Sequence, residues 1–364
     1  MNTTTSALTP LERERAMREG HAPDRLPYLV FADGLKCQLT GATPYEYWHD
    51  ARTMAEVEIA AYERWGHDRI TIGPNSLGFT EAFGGKFIYP EHGMPFDDPE
   101  RKFALDELLH LEPLDPTKNP QLKVYIEALD ILMDALGDTA PIQASLGGPL
   151  TTCAFLCGTE QLLRNFTRRA EDVAALLQVV TESLKAYIDV AATHGARFYM
   201  ADPVANPALI GIKRYEKYLY PLMRELTACA KTASGAGVML HMCGKSEKQW
   251  PLFRDYALEA ISLDNAIDLE EAIRQLGDCF AIAGNVDPVN IISRGTTDVI
   301  KQDVARCQRV GQVAEHGFFV APGCDIPYGT ALSQVDAYAT ACAQAPSADG
   351  TCASYATDEG KDSW

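Results

Sequence analysis

The chain of 364 residues is predicted to fold as a (β/α)8 TIM barrel, an α/β fold, with an insertion between its second and third strands. Three observations predict this fold class. Short apolar runs rich in β-branched and aromatic residues alternate with longer helical patterns, as in βα units around a parallel sheet. Eight such runs occur, the number that closes a barrel. Hydrophobic residues make up 46% of the chain, enough to bury a large core.

Each apolar run is followed by a helical pattern. The strands are expected at 27–32, 69–73, 141–145, 197–201, 237–242, 260–264, 279–284 and 317–322. The helices are expected near 44–66, 121–137, 159–194, 213–235, 247–257, 268–276, 296–315 and 329–344. The barrel is therefore expected to span residues 21–345, between an N-terminal extension at 1–20 and a flexible, acidic tail at 346–364.

The connection between the second and third predicted strands is unusually long and contains a glycine- and aromatic-rich segment at 81–99. Because a structureless loop of this length is uncommon in a compact domain, we expect a hairpin and short helices over one end of the barrel. Phe83 and Tyr89 in this segment are predicted to contact the substrate.

Charge and composition exclude several classes of partner. Lys and Arg number 32 against 50 Asp and Glu, a formal charge of −18, which is the wrong sign for binding nucleic acid. The sequence shows no signal peptide and no run of about 18 apolar residues that would span a membrane. Ten scattered cysteines suit a reducing compartment. We expect a cytoplasmic protein that binds neither nucleic acid nor membrane, and a homo-oligomer remains open.

The clearest chemical signal is the pair His241 and Cys243 in VMLHMCGK. A spacing of two at the end of a strand puts both side chains on one face, toward the barrel mouth. Cys324 follows the eighth predicted strand and should reach the same rim. One imidazole and two thiolates suit Zn²⁺, and three protein ligands leave a fourth position open, as in catalytic sites. The alternative is a buried core histidine with two unrelated cysteines.

Other polar residues also follow the predicted strands, where a barrel places its active site. Asp202 and Asp264 are predicted to be catalytic, and at least one of Asp202, Asp264 and Asp287 is expected to lie in the pocket. For Asp33, Ser145 and Asp325 a capping or turn role is the leading interpretation. The predicted substrate contacts are Asn75, Phe83, Tyr89, Ser145, Tyr199 and Asn285.

Four motifs together resemble a known family. They are SLGGPLT (145–151), HMCGK (241–245), GNVDP (284–288) and APGCDIP (321–327). In this order they resemble the uroporphyrinogen decarboxylase superfamily, and specifically its zinc-dependent corrinoid (methylcobamide) methyltransferase branch. The family's fold is a (β/α)8 barrel. The resemblance implies that His241, Cys243 and Cys324 are the zinc ligands.

The resemblance also implies a reaction, which is methyl transfer between a corrinoid protein and a small substrate. Because the chain shows no convincing cobalamin-binding motif, the methylcobamide is expected on a partner corrinoid protein. Bound zinc could activate a thiol such as coenzyme M, or polarise a methyl ether for O-demethylation of a methoxylated aromatic compound. A methoxylated aromatic substrate and a small thiol are equally favoured.

Two alternatives remain open. The first is a uroporphyrinogen decarboxylase-type lyase, which is weakened because residues 27–48 contain no arginine to bind a porphyrin's carboxylates. The second is a non-catalytic corrinoid-binding protein.

Overall fold

The computed structural model describes residues 8–344, which form a curled parallel sheet with helices packed around it. The strands are β1 (Ile70–Pro74), β2 (Phe87–Ile88), β3 (Phe96–Asp97), β4 (Ile142–Gly147), β5 (Arg197–Ala201), β6 (Val238–Met242), β7 (Leu258–Leu263), β8 (Ala281–Val286) and β9 (Phe318–Pro322). Seven of them pair in the order β1-β4-β5-β6-β7-β8-β9, and β2 and β3 form a separate antiparallel hairpin. The predicted TIM-barrel-like fold class is therefore confirmed.

Helices connect the strands and cover the sheet. The α-helices are α1 (Pro10–Arg18), α2 (Pro44–His49), α3 (Ala51–Trp65), α4 (Asn75–Ala82), α5 (Leu105–Leu108), α6 (Pro120–Leu136), α7 (Pro149–Cys157), α8 (Thr159–Arg168), α9 (Ala170–Thr193), α10 (Pro207–Ile210), α11 (Ile212–Arg214), α12 (Tyr220–Ser234), α13 (Trp250–Phe253), α14 (Leu269–Leu276), α15 (Thr297–Gly311) and α16 (Leu332–Ala343). Shorter 3-10 helices lie at Gly34–Leu39, Pro203–Ala205 and Glu247–Gln249, and π-helical turns at Tyr215–Leu219 and Pro288–Ser293. Within residues 8–344, no helix combines the length and apolar character needed to cross a bilayer.

The first predicted strand, 27–32, is wrong as a regular strand. This segment runs beside β9 and forms one isolated bridge, between Tyr28 and Val320. The Tyr28 N–H donates to the Asp68 carboxylate at 2.7 Å, and the Asp68 N–H donates to the Tyr28 carbonyl at 2.8 Å. Asp68 thus occupies backbone groups that a ladder would need, so the segment takes the eighth position without strand geometry.

Helix α1 is fixed to the barrel by buried ion pairs. Arg13 and Glu14 are 3% and 4% exposed. The Arg13 guanidinium donates to Asp68 at 2.5 Å, and the Glu14 carboxylate accepts from Arg69 at 2.6 Å and from Arg197 at 2.8 Å. The extension predicted at 1–20 thus contains a helix that packs on the barrel, whereas the tail predicted at 346–364 lies outside the described residues.

We expect Arg13→Met to lower the free energy of unfolding by about 3 kcal/mol, because it removes a partner from the buried carboxylate of Asp68. Arg64→Met is the matched control, since Arg64 and Asp336 form an exposed pair that contributes at most about 1 kcal/mol. Denaturant unfolding followed by circular dichroism measures both. Equal losses in the two variants would contradict a role for Arg13 in anchoring α1.

The barrel interior contains a small apolar cluster made of inward-facing side chains. Its buried members are Leu29, Met239, Ala260, Ala281, Ala283, Phe319 and Ala321. Alternate residues of each strand face the surrounding helices instead, as the pleat requires. The small side chains contributed by β7, β8 and β9 fill little volume, and the polar end of β6 lies beside them.

Candidate metal centre and its cavity

Three soft ligands meet at the carboxyl ends of β6 and β9. His241, on β6, is 3% exposed, and Cys243 follows the strand. The His241 Nε2 lies 3.0 Å from the Cys243 Sγ, which lies 3.8 Å from the Cys324 Sγ. One ligand atom from each of the three residues lies within 4.8 Å of the others. The structure therefore brings together the three residues that the sequence predicts as ligands.

The loops that carry the cysteines need glycine. Gly323 precedes Cys324, and a Cβ at this position would come within 2.4 Å of the backbone nitrogen of Asn265. Gly244 follows Cys243 with φ +69°, a left-handed conformation that favours glycine. Both glycines let the chain turn closely around the ligands.

The spacing fits a tetrahedral zinc ion. Two thiolates bound at about 2.3 Å with tetrahedral angles stand about 3.8 Å apart, the separation found between Cys243 and Cys324. The His241 Nδ1 lies 3.0 Å from the Ser262 hydroxyl, which directs Nε2 toward the cysteines. Among the described residues the ligand cluster has three members, so a tetrahedral ion would keep one position open.

The two thiols differ in acidity. A hydrogen bond from Cys243 and the adjacent His241 ring lower the pKa of the Cys324 thiol, although burial opposes this effect. The pKa of Cys243 is raised by the same hydrogen bond and by burial. The thiolate is the form that binds a metal, so the site already favours one of the two thiolates it would need.

A second group of residues holds the loop that carries Cys243. The Asp264 carboxylate accepts from the Gly244 N–H at 2.7 Å and from the Ala266 N–H at 2.8 Å. The Asn206 side-chain amide donates to the Cys243 carbonyl at 2.7 Å. Asp264 therefore supports the candidate metal centre through the backbone next to a ligand.

A cavity of about 350 Å³ opens beside the three ligands. Its apolar wall is formed by Val30, Phe31, Trp48, Leu77, Phe87, Met94, Pro95, Leu146, Phe155 and Tyr199. Its polar wall includes Asp33, Lys36, His67, Arg69, Thr71, Asn75, Ser76, Ser145, Thr151 and Asp325. The Tyr199 ring lies nearly parallel to the His241 ring, with centroids 6.4 Å apart. A largely apolar pocket with a few polar groups beside a metal centre is typical of a small-molecule site.

The sequence profile of the uroporphyrinogen decarboxylase (URO-D) family matches residues 9–345. The chain belongs to this family. The resemblance inferred from the motifs is confirmed, and relatives in the methyltransferase branch match over most of their length.

The relatives include both methyltransferases and decarboxylases. The chain is 24% identical to the methylated-thiol–coenzyme M methyltransferase of Methanosarcina mazei, over 94% of this chain and 91% of that protein. It is 27% identical to a methylcobamide:CoM methyltransferase of Methanosarcina acetivorans, over 87% of this chain and 93% of that protein. A uroporphyrinogen decarboxylase of Dechloromonas aromatica is 26% identical, over 65% of this chain and 68% of that protein.

A solved structure shares the fold. The structure described as a methyltransferase from Methanosarcina mazei has a TM-score of 0.79 and 22% identity, covering 92% of this chain and 98% of that chain. This likeness shows that the two chains share one fold over most of their length.

Three of the predicted substrate contacts line the cavity and three do not. Asn75, Ser145 and Tyr199 line it. Phe83 is buried in the core at the end of α4, and the Tyr89 hydroxyl donates to Glu81 at 2.8 Å. These residues and Asn285, whose amide donates to the Asp264 and Ile267 carbonyls, are absent from the cavity wall.

The predicted catalytic aspartates make backbone contacts. Asp202 is fully buried, and its carboxylate accepts from the Leu150 N–H and from the N–H and hydroxyl of Thr151. Burial raises the pKa of Asp202 to about 6, although these hydrogen bonds oppose the shift. Asp287 accepts from the N–H groups of Val289 and Asn290. Asp202 thus caps the N-terminus of α7 and Asp287 caps the turn that follows it, whereas Asp264 lies next to a metal ligand. None of the three lines the cavity, so the expectation that at least one lies in the pocket is met only by the support that Asp264 gives to the metal centre.

Sequence analysis missed several residues of the cavity wall. Asp33 lies in a turn before a 3-10 helix, as the capping-or-turn interpretation allows, but its carboxylate makes no capping hydrogen bond. Asp33 and Asp325 face the cavity near Cys324 instead. Partial burial raises the pKa of the Asp33 carboxyl, and the nearby Lys36 opposes this shift. The sequence signal that could have identified Asp33 and Asp325 as part of the cavity wall is their position after the first and the last predicted strand.

We expect Ser262→Ala to lower zinc affinity by about 10- to 100-fold while the barrel stays folded, because the imidazole of His241 loses its orienting partner. Ser234→Ala is the matched control, since this hydroxyl bonds only to nearby backbone groups at the end of α12. Competition with a metal chelator measures both affinities. An unchanged affinity in Ser262→Ala would contradict the role given to this hydroxyl.

Proposed function

We propose that this protein is a zinc-dependent methyltransferase that moves a methyl group between a corrinoid protein and a small substrate. The observation that carries the proposal is the convergence of His241, Cys243 and Cys324, with one position open, beside a substrate-sized cavity. The URO-D relatives named methylcobamide:CoM methyltransferases support the same reaction class.

The chain's own residues would position the reacting groups. When bound, zinc would stabilise a substrate thiol as thiolate or polarise the oxygen of a methyl ether. Ser262 and Asp264 hold the ligand residues in place. The apolar walls, including Phe31 and Tyr199 with ring centroids 5.6 Å apart, would reduce the access of water to the reacting groups once substrate is bound.

In both directions of methyl transfer, every bond that forms is matched by a bond that breaks. In one, the sulfur electron pair forms a bond to the methyl carbon, the cobalt–carbon bond breaks, and its electron pair stays on cobalt(I). In the other, cobalt(I) takes the methyl carbon, the carbon–oxygen bond breaks, and the oxygen takes up a proton. The cavity's aromatic wall suits a methoxylated aromatic compound, and the same open position suits a thiol.

The corrinoid protein would approach across an exposed apolar surface at the cavity mouth. This mouth patch consists of Tyr45, Ile88, Met94 and Phe96, which are 40–56% exposed. Met94 also lines the cavity, and Ile88 and Phe96 lie on the hairpin of β2 and β3. Exposed apolar residues grouped at the opening of a site mark a surface for a protein partner.

The lyase alternative has less support from the cavity. A tetrapyrrole with many carboxylates would need several free cations. Lys36 and Arg69 are the described cations in the wall, and both already pair with buried carboxylates, at 2.6 Å to Glu58 and to Glu14.

The test is methyl transfer by zinc-loaded protein with free cobalamin as the probe. We expect protein-dependent conversion of methylcobalamin to cobalt(I) with 2-mercaptoethanol, or formation of methylcobalamin from cobalt(I) and 2-methoxyphenol, followed by visible absorption. Absence of both reactions, together with decarboxylation of uroporphyrinogen by the same preparation, would favour the lyase. Binding of a corrinoid protein without either reaction would favour a non-catalytic role.

A further inference from the structure

The cations of the cavity wall are already neutralised. Lys36 is 3% exposed and pairs with Glu58 at 2.6 Å, and the Tyr47 hydroxyl donates to the same carboxylate. Arg69 pairs with Glu14 and with Glu259, both at 2.6 Å. Among the described residues of the wall, no other lysine or arginine occurs.

His67 and the metal centre, which also belong to the cavity wall, add no net positive charge. Burial, and to a smaller extent the nearby Lys36, lower the pKa of His67 to about 3, so its imidazole is neutral. A zinc ion bound to two thiolates and one imidazole would also carry no net charge, since the thiolates would balance its two positive charges. Apart from the sulfur or oxygen atom bound at its open position, the metal centre would therefore give no net attraction for a second, anionic group of the substrate.

The N-terminus of α7, which lies next to the cavity, already binds a carboxylate of the protein. The N-terminus of α7 reaches the wall through Thr151, and a helix N-terminus commonly binds anions. Here the Leu150 and Thr151 N–H groups already donate to the Asp202 carboxylate. A substrate anion would have to displace this buried carboxylate.

Two carboxyls, in contrast, face the cavity without hydrogen-bond donors. Asp33 and Asp325 both line the wall, and neither side chain accepts a hydrogen bond from a described residue. Asp325 directly follows Cys324, so this acidic wall adjoins the metal centre. Asp33 lies close enough to Asp325 for the two like charges to repel each other, so a hydrogen-bond donor or a cation between them would relieve this repulsion, whereas an anion would add to it.

We propose that the substrate of this cavity carries no anionic group besides the sulfur or oxygen that would bind the metal, and that it presents a hydrogen-bond donor, a hydroxyl or an ammonium, to Asp33 and Asp325. The inference rests on the proposed function and narrows it. A neutral or cationic thiol or methyl ether could donate hydrogen bonds to these two carboxyls. A thiol with a sulfonate, such as coenzyme M, would instead be repelled by them. Specificity would thus come partly from repulsion.

Three thiols of similar size test the proposal, because they differ chiefly in the group at the far end of the chain. They are 2-mercaptoethanol, with a hydroxyl, cysteamine, with an ammonium, and 2-mercaptoethanesulfonate, which is coenzyme M. Binding to the zinc-loaded protein is measured by calorimetry at neutral pH, so the readout does not depend on methyl transfer. We expect 2-mercaptoethanol and cysteamine to bind at least about tenfold more tightly than the sulfonate.

Two aspartate variants test whether Asp33 and Asp325 cause the preference for the hydroxyl thiol over the sulfonate. Asp33→Asn and Asp325→Asn keep the shape of each side chain, and each should reduce the ratio of hydroxyl to sulfonate affinity by about threefold or more. Asp134→Asn is the control, because Asp134 is exposed on α6 and lies outside the cavity wall. Comparing ratios removes differences in intrinsic acidity among the thiols.

The outcomes separate the inference from the proposed function. Tighter binding of the sulfonate than of 2-mercaptoethanol, or a ratio unchanged in both aspartate variants, would overturn the inference and leave the methyltransferase proposal standing. If the protein holds zinc but binds none of the three thiols, and also fails to demethylate 2-methoxyphenol, both proposals are wrong.

Discussion

Replacing Cys324 with alanine is expected to reduce methyl transfer by about 10³-fold or more, because a catalytic metal contributes several kcal/mol to stabilising the transition state. Cys243→Ala should have the same effect. Both variants should lose zinc yet stay largely folded, since an open site with three ligands contributes less to folding than a closed structural site. Zinc content, circular dichroism and the cobalamin assay measure the three properties.

Cys229→Ala is the matched control for this experiment. Cys229 is a partly exposed thiol on α12 and is not part of the ligand cluster. It should retain zinc and full activity. Full activity in Cys324→Ala would contradict a metal-dependent mechanism, and unfolding of both ligand variants would assign the metal a structural role instead.

Polar substitutions in the mouth patch are expected to impair the reaction with the corrinoid protein selectively. Ile88→Ser combined with Phe96→Ser should lower kcat/KM with the methylated corrinoid protein by about tenfold or more, because exposed apolar anchors carry much of the energy of an interface. Transfer from free methylcobalamin and zinc content should not change, since neither residue lines the cavity.

Val313→Ser is the control for the mouth patch. Val313 is 74% exposed and follows α15, far along the chain from the hairpin of β2 and β3. Its substitution should leave both reactions unchanged. Equal activity of the double variant and this control with the corrinoid protein would show that the partner docks elsewhere.

Local patterns in the sequence predicted most of the strands and the ligand cluster. His241 and Cys243 could be placed on one face because residues two apart on a strand always share a face. Cys324 could be placed at the same rim because parallel strands of a barrel end together. Both inferences need only the strand assignment, which apolar periodicity supplied.

Features that depend on tertiary packing were not predictable in this way. The segment at 27–32 has a strand's composition, but Asp68, distant in sequence, binds the Tyr28 N–H through its carboxylate and the Tyr28 carbonyl through its own backbone N–H. Phe83 and Tyr89 lie in the predicted insertion, yet their direction depends on how α4 and the hairpin pack, and neither reaches the cavity. The role of Asp33 likewise depends on what lies opposite it.

The central claim is that His241, Cys243 and Cys324 form a zinc site at the mouth of the barrel. Elemental analysis of the purified, metal-replete protein tests it most directly. The geometry predicts about one zinc per chain, lost in Cys243→Ala and Cys324→Ala and retained in Cys229→Ala. Less than about a tenth of an equivalent of zinc in the unmodified protein would contradict the claim.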